Sequence, residues 1–221
     1  MRYLSNVELI SVNCVKPEES VKALLYSSKF LLFNKIKLLA HYRPNNLPTG
    51  IEFIQIEKQT HSSMNHFALF ELPKYVEDEF IISIHDDGFI TNPHLWTDTF
   101  LEYDYIGAPW PVEAGWCPIN RVGNGGFVLK SNKFMQLEST LPPTSQNNDV
   151  YVTNTCYDYF IKNGCKYAPV EVAMKFSLES CIPECEYNLD KVFGFHGRGD
   201  SWIFRDQGQQ FKDKINLLNN I

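Results

Sequence analysis

His85-Asp86-Asp87-Gly88 follows directly on Ile81-Ile82-Ser83-Ile84, four residues with no charge to neutralise. Two adjacent carboxylates after an apolar run gather oxygen ligands in one place. That chemistry suits a hard divalent cation, Mg2+ or Mn2+, bridging a diphosphate. The bland alternative is a hairpin turn, because Asp-Gly is a strong turn signal. Hairpin strands usually alternate, however, and this run is continuously apolar, as in a strand buried on both faces. His196 is the other residue with a chemical accent. It lies between glycines in Phe193-Gly-Phe-His-Gly-Arg-Gly199, a segment hard to place in a core. Its imidazole can complete an oxygen-rich coordination shell.

The elements that must position these groups alternate along the first ninety residues. Val7–Cys14 is a short apolar strand. Pro17, Glu18 and Glu19 open a helix, with proline in the first turn and acids at the positive dipole end. Its apolar face is expected to be Val21, Leu24, Leu25 and Leu32. Strands follow over Lys35–Ala40, Ile51–Ile56 and Glu79–Ile84, with a helix through Met64, Phe67, Ala68 and Leu72 before the last. This order predicts a mostly parallel nucleotide-binding-type sheet flanked by helices. Ligands bind beyond the carboxyl ends of such strands. That places Asn13, Cys14, His41, His85 and Asp86 on the ligand side.

The second half is less regular. A short helix is expected from Asn92-Pro93 to near Glu102, and Tyr103–Pro111 reads as an aromatic, proline-rich wall. Arg121–Lys130 reads as a glycine turn leading into a strand, and Asp149–Asn163 as a helix closed by Gly164. Phe211, Ile215 and Leu218 suggest a terminal amphipathic helix. The expectation is a single domain over 1–221. Residues 1–90 and 91–205 are expected to form its two halves, and 206–221 a tail helix.

A chain of 221 residues with 44% hydrophobic and 14% aromatic residues can bury a sizeable core. The net charge of -6 and the lack of a Lys/Arg cluster argue against nucleic acid as partner. No stretch approaches eighteen apolar residues and the first residues lack a signal-peptide core, so the expected location is cytoplasmic or peripheral at the inner membrane face. The six irregularly spaced cysteines then read as reduced thiols. Cys181-Ile-Pro-Glu-Cys185 is at most half of a zinc site. Oligomeric state is not legible.

A strand followed by an Asp-x-Asp-like triplet resembles the GT-A-fold glycosyltransferases. In that fold the last acid of the triplet binds the metal carrying the nucleotide-sugar diphosphate, which implies Asp87 as ligand. His85 and Asp86 fall on the ribose and diphosphate side. The ordered blocks Tyr103–Trp110, Val122–Phe127, Asn148-Asp149-Val150 and Phe193–Gly197 resemble a bacterial and viral glycosyltransferase family catalogued as a domain of unknown function. The helix bearing Asn65 is similar to that family's as well. The likeness spans roughly residues 60 to 200.

The resemblance implies a metal-dependent enzyme moving a sugar from a nucleotide diphosphate sugar, UDP-sugars favoured, to a hydroxyl of a glycan or glycolipid of surface-polysaccharide type. It implies His196 as second metal ligand, Arg198 against the departing phosphate and Asp149 as base. The bland role of Asp149 is a helix N-cap. Asn124, Gly125 and Gly126 would offer backbone to acceptor hydroxyls, or merely turn the chain. Trp110 would stack on a sugar face, or pack in the core. The rival readings are a non-catalytic nucleotide- or glycan-binding relative and a metal-dependent phosphohydrolase.

Overall fold

The computed structural model describes residues 1–180, 182–184 and 189–197. Arg198, Cys181, Cys185 and the expected tail helix at 206–221 lie outside the described residues. In chain order the elements are β1 (Arg2–Val12), α1 (Pro17–Ser27), β2 (Leu31–Ala40), β3 (Glu52–Gln55), α2 (His61–His66), β4 (Phe80–Ile84), β5 (Gly88–Ile90) and β6 (Tyr105–Pro109). There follow β7 (Val122–Ser131), α3 (Asn132–Glu138), α4 (Asn148–Val150), α5 (Tyr157–Lys162), α6 (Val170–Phe176), β8 (Ser177–Leu178) and β9 (Gly194–His196).

The main sheet has the order β3-β2-β1-β4-β7-β6, and a small second sheet has the order β5-β9-β8. Strands β3, β2, β1 and β4 are mutually parallel, while β7 runs antiparallel to β4 and β6. The apolar runs are continuous because these strands are covered on both sides. Leu9, Leu38 and Ile82 enter one core cluster with Ala23 and Leu24 of α1 and Phe176 of α6. Their neighbours Ile10, Leu39 and Ile81 enter another with Phe67, Leu72 and Met135. Successive side chains point to opposite faces of a strand, so one run supplies two cores.

One charge interrupts this pattern. Glu8 on β1 is fully buried, 2.9 Å from Lys37 Nζ on β2, itself 1% exposed. Glu8 also accepts hydrogen bonds from the Glu77 and Asp78 amides at 2.8 and 2.9 Å. The group ties β1, β2 and the entry to β4 together.

Several local expectations are corrected. Leu32 belongs to β2, not to the face of α1, and Leu25 is 40% exposed; Ala23, Leu24, Ser20 and Ser27 form the buried face. The stretch Asn92–Glu102 is two 3₁₀ turns, Pro93–Leu95 and Asp98–Glu102, rather than one helix. The aromatic segment expected as an irregular wall is strand β6, an edge strand in which Pro109 can sit at the end. The glycine block is no turn: Gly123, Gly125 and Gly126 lie inside β7, and none has a positive φ. The helix expected at Asp149–Asn163 is broken by a π turn at Tyr151–Thr155, though Gly164 does end it, at φ +72°.

Candidate active site

The direction of the connections reverses between β1 and β4, since β2 and β3 lie on one side of β1 and β4 on the other. Such switch points open a crevice at the carboxyl ends of the flanking strands. A cavity of about 530 Å³ lies there. Its mouth carries Asn13, Cys14 and Lys16 after β1, and His85 and Asp86 after β4. Met64, Asn65, Phe67 and Ala68 form the wall opposite. That wall is where α2 loosens into a π turn, Phe67–Glu71, a local feature frequent at functional sites.

Asn13 shapes the mouth rather than reaching into it. Its Oδ1 accepts from the Val15 and Lys16 amides at 2.8 Å, and its Nδ2 donates to Ser20 Oγ at 3.0 Å. Asn65 Oδ1 accepts from the Asn148 amide at 3.0 Å, tying the cavity wall to α4. Cys14 is 2% exposed on the cavity wall. His41, expected on the ligand side, stacks edge-on against Tyr42 at 4.6 Å and is not among the cavity-lining residues. Lys130 reaches the cavity from β7, but its ammonium is 2.6 Å from the buried Glu138 carboxylate, whose pKa burial pushes up.

Beside the cavity mouth, His85-Asp86-Asp87 turns the chain into β5. Gly88 N donates to His85 O at 3.1 Å, so the Asp-Gly signal does make a turn. It makes no hairpin, because β5 pairs with β9 instead of β4. That pairing sets Gly88 opposite His196 and brings three ligand atoms, from His85, Asp87 and His196, within 4.8 Å of one another. His196 Nε2 is 3.2 Å from Asp87 Oδ1, and the His85 and His196 rings meet edge to face at 5.3 Å. His85, expected beside the ribose, thus joins the group expected from Asp87 and His196.

A fourth residue completes the cluster and carries no sequence signal. Glu179, just after β8, places Oε1 3.4 Å from His196 Nδ1. This is ion-pair distance, but outside hydrogen-bond geometry. Burial alone would lower the pKa of His196; Asp87 and Glu179 outweigh it and hold the group raised to about 10. The ring thus lies between two acids that favour its protonated form.

One carboxylate and two imidazoles within 4.8 Å are a donor set that fits a divalent cation. Imidazole donors fit Mn2+ better than Mg2+, which prefers oxygen. The buried Nδ1 faces a carboxylate, the outer contact that metal-bound histidines usually have.

The glycines of β7 explain how these groups fit. A Cβ on Gly126 would lie 2.1 Å from His196 Nε2, and one on Gly123 would lie 2.1 Å from the Trp110 ring. Gly125 lies under Asp149, whose Cβ is 3.4 Å from the same hypothetical atom. The glycines act by lacking a side chain, not by offering free N–H groups. Gly126 N already donates to Asn124 Oδ1 at 2.9 Å, and Gly125 N to Asp149 Oδ2 at 3.4 Å. Two expectations change accordingly. Asn124 is 6% exposed, with its side-chain oxygen committed to its own strand, and Trp110 is 4% exposed with its ring laid on Gly123. Neither turns an open face to an acceptor. Trp116, 49% exposed and 6.4 Å from Trp110, does expose a ring.

Asp149 is not the cap of α4, a position held by Asn147. Its Oδ1 accepts from the Val150 amide at 2.7 Å. Burial raises its pKa above the usual carboxylate range, and the Val150 and Gly125 amides only partly offset this. A carboxylate so placed is a stronger base than one in water.

Residues 48–196 match the family described as "Protein of unknown function (DUF5672)", and the chain belongs to it. No curated protein matches. Among solved structures the chain is similar to the galactosyltransferase LgtC in complex with donor and acceptor sugar analogs. Identity is 11%, the TM-score 0.55, and the match covers 97% of this chain and 96% of that one. An active-site mutant of LgtC gives 14% identity, a TM-score of 0.54 and coverage of 96% and 95%. The fold is GT-A: one mixed α/β domain with a mostly parallel, helix-flanked sheet. No helix among the described residues is long and apolar enough to cross a membrane.

Proposed function

We propose that this member of the DUF5672 family, on its GT-A fold, is a metal-dependent glycosyltransferase. It moves a sugar from a nucleotide diphosphate sugar, UDP-sugars favoured, to a hydroxyl of a glycan or glycolipid. The observation that carries this reading is a juxtaposition: a cavity of about 530 Å³ at the switch point shares His85 with a group of three cation ligands.

The residues divide the work by position. The cavity between Asn13, Cys14, Asn65 and the π turn takes the nucleotide. Asp87, His85 and His196 would hold the cation, beside the mouth of that cavity. Bound there, the cation supplies Lewis-acid stabilisation of the leaving diphosphate. Asp149 stands on the opposite side of β7's glycines and accepts the proton of the acceptor hydroxyl, with its Oδ1 steadied by the Val150 amide. Its raised pKa makes it a stronger base than a carboxylate in water. A reaction that retains the anomeric configuration needs no such base, and Asp149 then positions the acceptor. The surface-polysaccharide acceptor and the location at the inner membrane face belong to the same proposal.

The test is a thermal-shift screen of nucleotide sugars with and without Mn2+, followed by NMR of products. A ligand at about a hundred times its Kd adds about 2.7 kcal/mol of stability. Cation-dependent stabilisation and transfer of the sugar support the reading. Binding without turnover makes the chain a non-catalytic relative, and release of phosphate from nucleotides lacking a sugar makes it a phosphohydrolase.

A further inference from the structure

We propose that Glu179 is a positioning residue for the cation site: it sets the proton of His196 on Nδ1 and so leaves the Nε2 lone pair for the metal. The inference rests on the cation reading above. It assigns a role to a carboxylate that neither sequence motif nor ligand set includes.

The fold places Glu179 there by strand register. Strand β8 pairs with β9 in parallel, Ser177 with Gly194 and Leu178 with Phe195, so the next step along both strands sets Glu179 beside His196. Its side chain is 14% exposed, and Oε1 lies 3.4 Å from Nδ1. Nδ1 is buried with no hydrogen-bond partner among the described residues, so this carboxylate is the acceptor that its proton faces. On the other edge of the ring, Nε2 lies 3.2 Å from Asp87 Oδ1 and directly over Gly126. The ring therefore has one nitrogen toward a ligand acid and one toward an acid outside the ligand group.

A neutral imidazole has a single N–H, and its place decides what the ring can do. With the proton on Nε2, His196 would donate to Asp87 and occupy both ligand atoms at once. With the proton on Nδ1, drawn there by Glu179, Nε2 and Asp87 Oδ1 both point lone pairs at the cation. An outer carboxylate on a metal-bound histidine characteristically fixes the tautomer in this way, and losing it costs about 10–100-fold in metal affinity. Glu179 stands behind the ring, outside the ligand group, and adds a negative charge there that makes Nε2 a better donor.

The experiment compares wild type, Glu179→Leu, Glu179→Gln and Asp87→Asn, all checked for folding by circular dichroism. Free Mn2+ is counted by electron paramagnetic resonance, and the His196 tautomer is read by ¹⁵N NMR of the imidazole in the diamagnetic Mg2+ complex. Glu179→Leu is expected to weaken Mn2+ binding about 10–100-fold. Glu179→Gln, whose amide oxygen still accepts from Nδ1–H, should keep most of the affinity and the Nδ1–H tautomer. If Leu does not fold, Glu179→Ala takes its place in the comparison. A loss as complete as that of Asp87→Asn would show that the carboxylate is itself a ligand. Unchanged affinity in Glu179→Leu, with Asp87→Asn disabled, overturns the role of Glu179 and leaves the cation site standing. A wild type that binds no Mn2+ overturns both.

Discussion

Two groups of buried charges sit at opposite ends of the β1–β4 pair, and they are built differently. Around Glu8 every charge is answered: Lys37 at 2.9 Å, two backbone amides at 2.8 and 2.9 Å, and Glu77 bridging Lys37 from the far side at 3.0 Å. Around His196 two carboxylates share one imidazolium at 3.2 and 3.4 Å, and Asp86 lies next door. With Lys35 paired to Glu77 as well, the first group is neutral and closed by short contacts. The second is held in looser contacts, at the mouth of a cavity. The difference separates a fastening from a binding site.

Substitutions can break that contrast in either direction. The largest effect is expected for Asp149→Asn, which should lower kcat by ~10²–10⁴ if the residue is the general base. Because burial raises the pKa of Asp149, kcat/KM should rise with pH and level off above a pKa higher than the ordinary carboxylate value. In Asp149→Asn that acid limb should disappear, and a pH profile unchanged by the mutation would remove the residue from the chemistry.

Glu8→Ala comes next. It leaves Lys37 buried without its main partner, and urea unfolding should show a loss of about 3–5 kcal/mol. Mn2+ affinity should stay as it was, since the two charge groups share no residue. Asp87→Asn should do the opposite: cation-dependent nucleotide binding disappears in calorimetry, while the unfolding midpoint moves far less than in Glu8→Ala. Comparable loss of stability in both variants would erase the distinction between fastening and site. The smallest effect is expected from Gly126→Ala. Its Cβ would meet the His196 ring at 2.1 Å and push it aside, weakening Mn2+ binding roughly tenfold, on the scale of a disturbed outer contact.

What the sequence reveals of this molecule follows burial. Strands β1, β2 and β4 are legible because both their faces are covered, so apolar residues run on without alternation. Asp87 and His196 are legible for the opposite reason: a charge after an apolar run and a histidine among glycines are costly without a task. The glycine block was legible as a site but not as a strand. Along the chain a missing side chain signals either a special φ or a close neighbour, and only the tertiary partners Trp110, Asp149 and His196 tell which. Trp110 was ambiguous for a related cause, since an aromatic ring looks the same whether its face meets a ligand or Gly123. Glu179 was invisible, because Ser177-Leu-Glu179 has no pattern until β8 lies beside β9. The two π turns, at Phe67–Glu71 and Tyr151–Thr155, likewise leave no mark on the 3.6-residue periodicity from which helices are inferred.

The bare glycines of β7 have one more consequence. Trp110, Asp149 and His196 arrive on three segments far apart in the chain, yet each is gauged against the same few backbone atoms of one central strand. In a machine this would be a common datum: parts referenced to one surface do not accumulate each other's errors. Adjacent residues on a strand present opposite faces, so Asp149 over Gly125 and His196 over Gly126 are each set by backbone geometry, one on either side of β7. The connecting loops can then lengthen, shorten or drift while the separation of these two groups stays put.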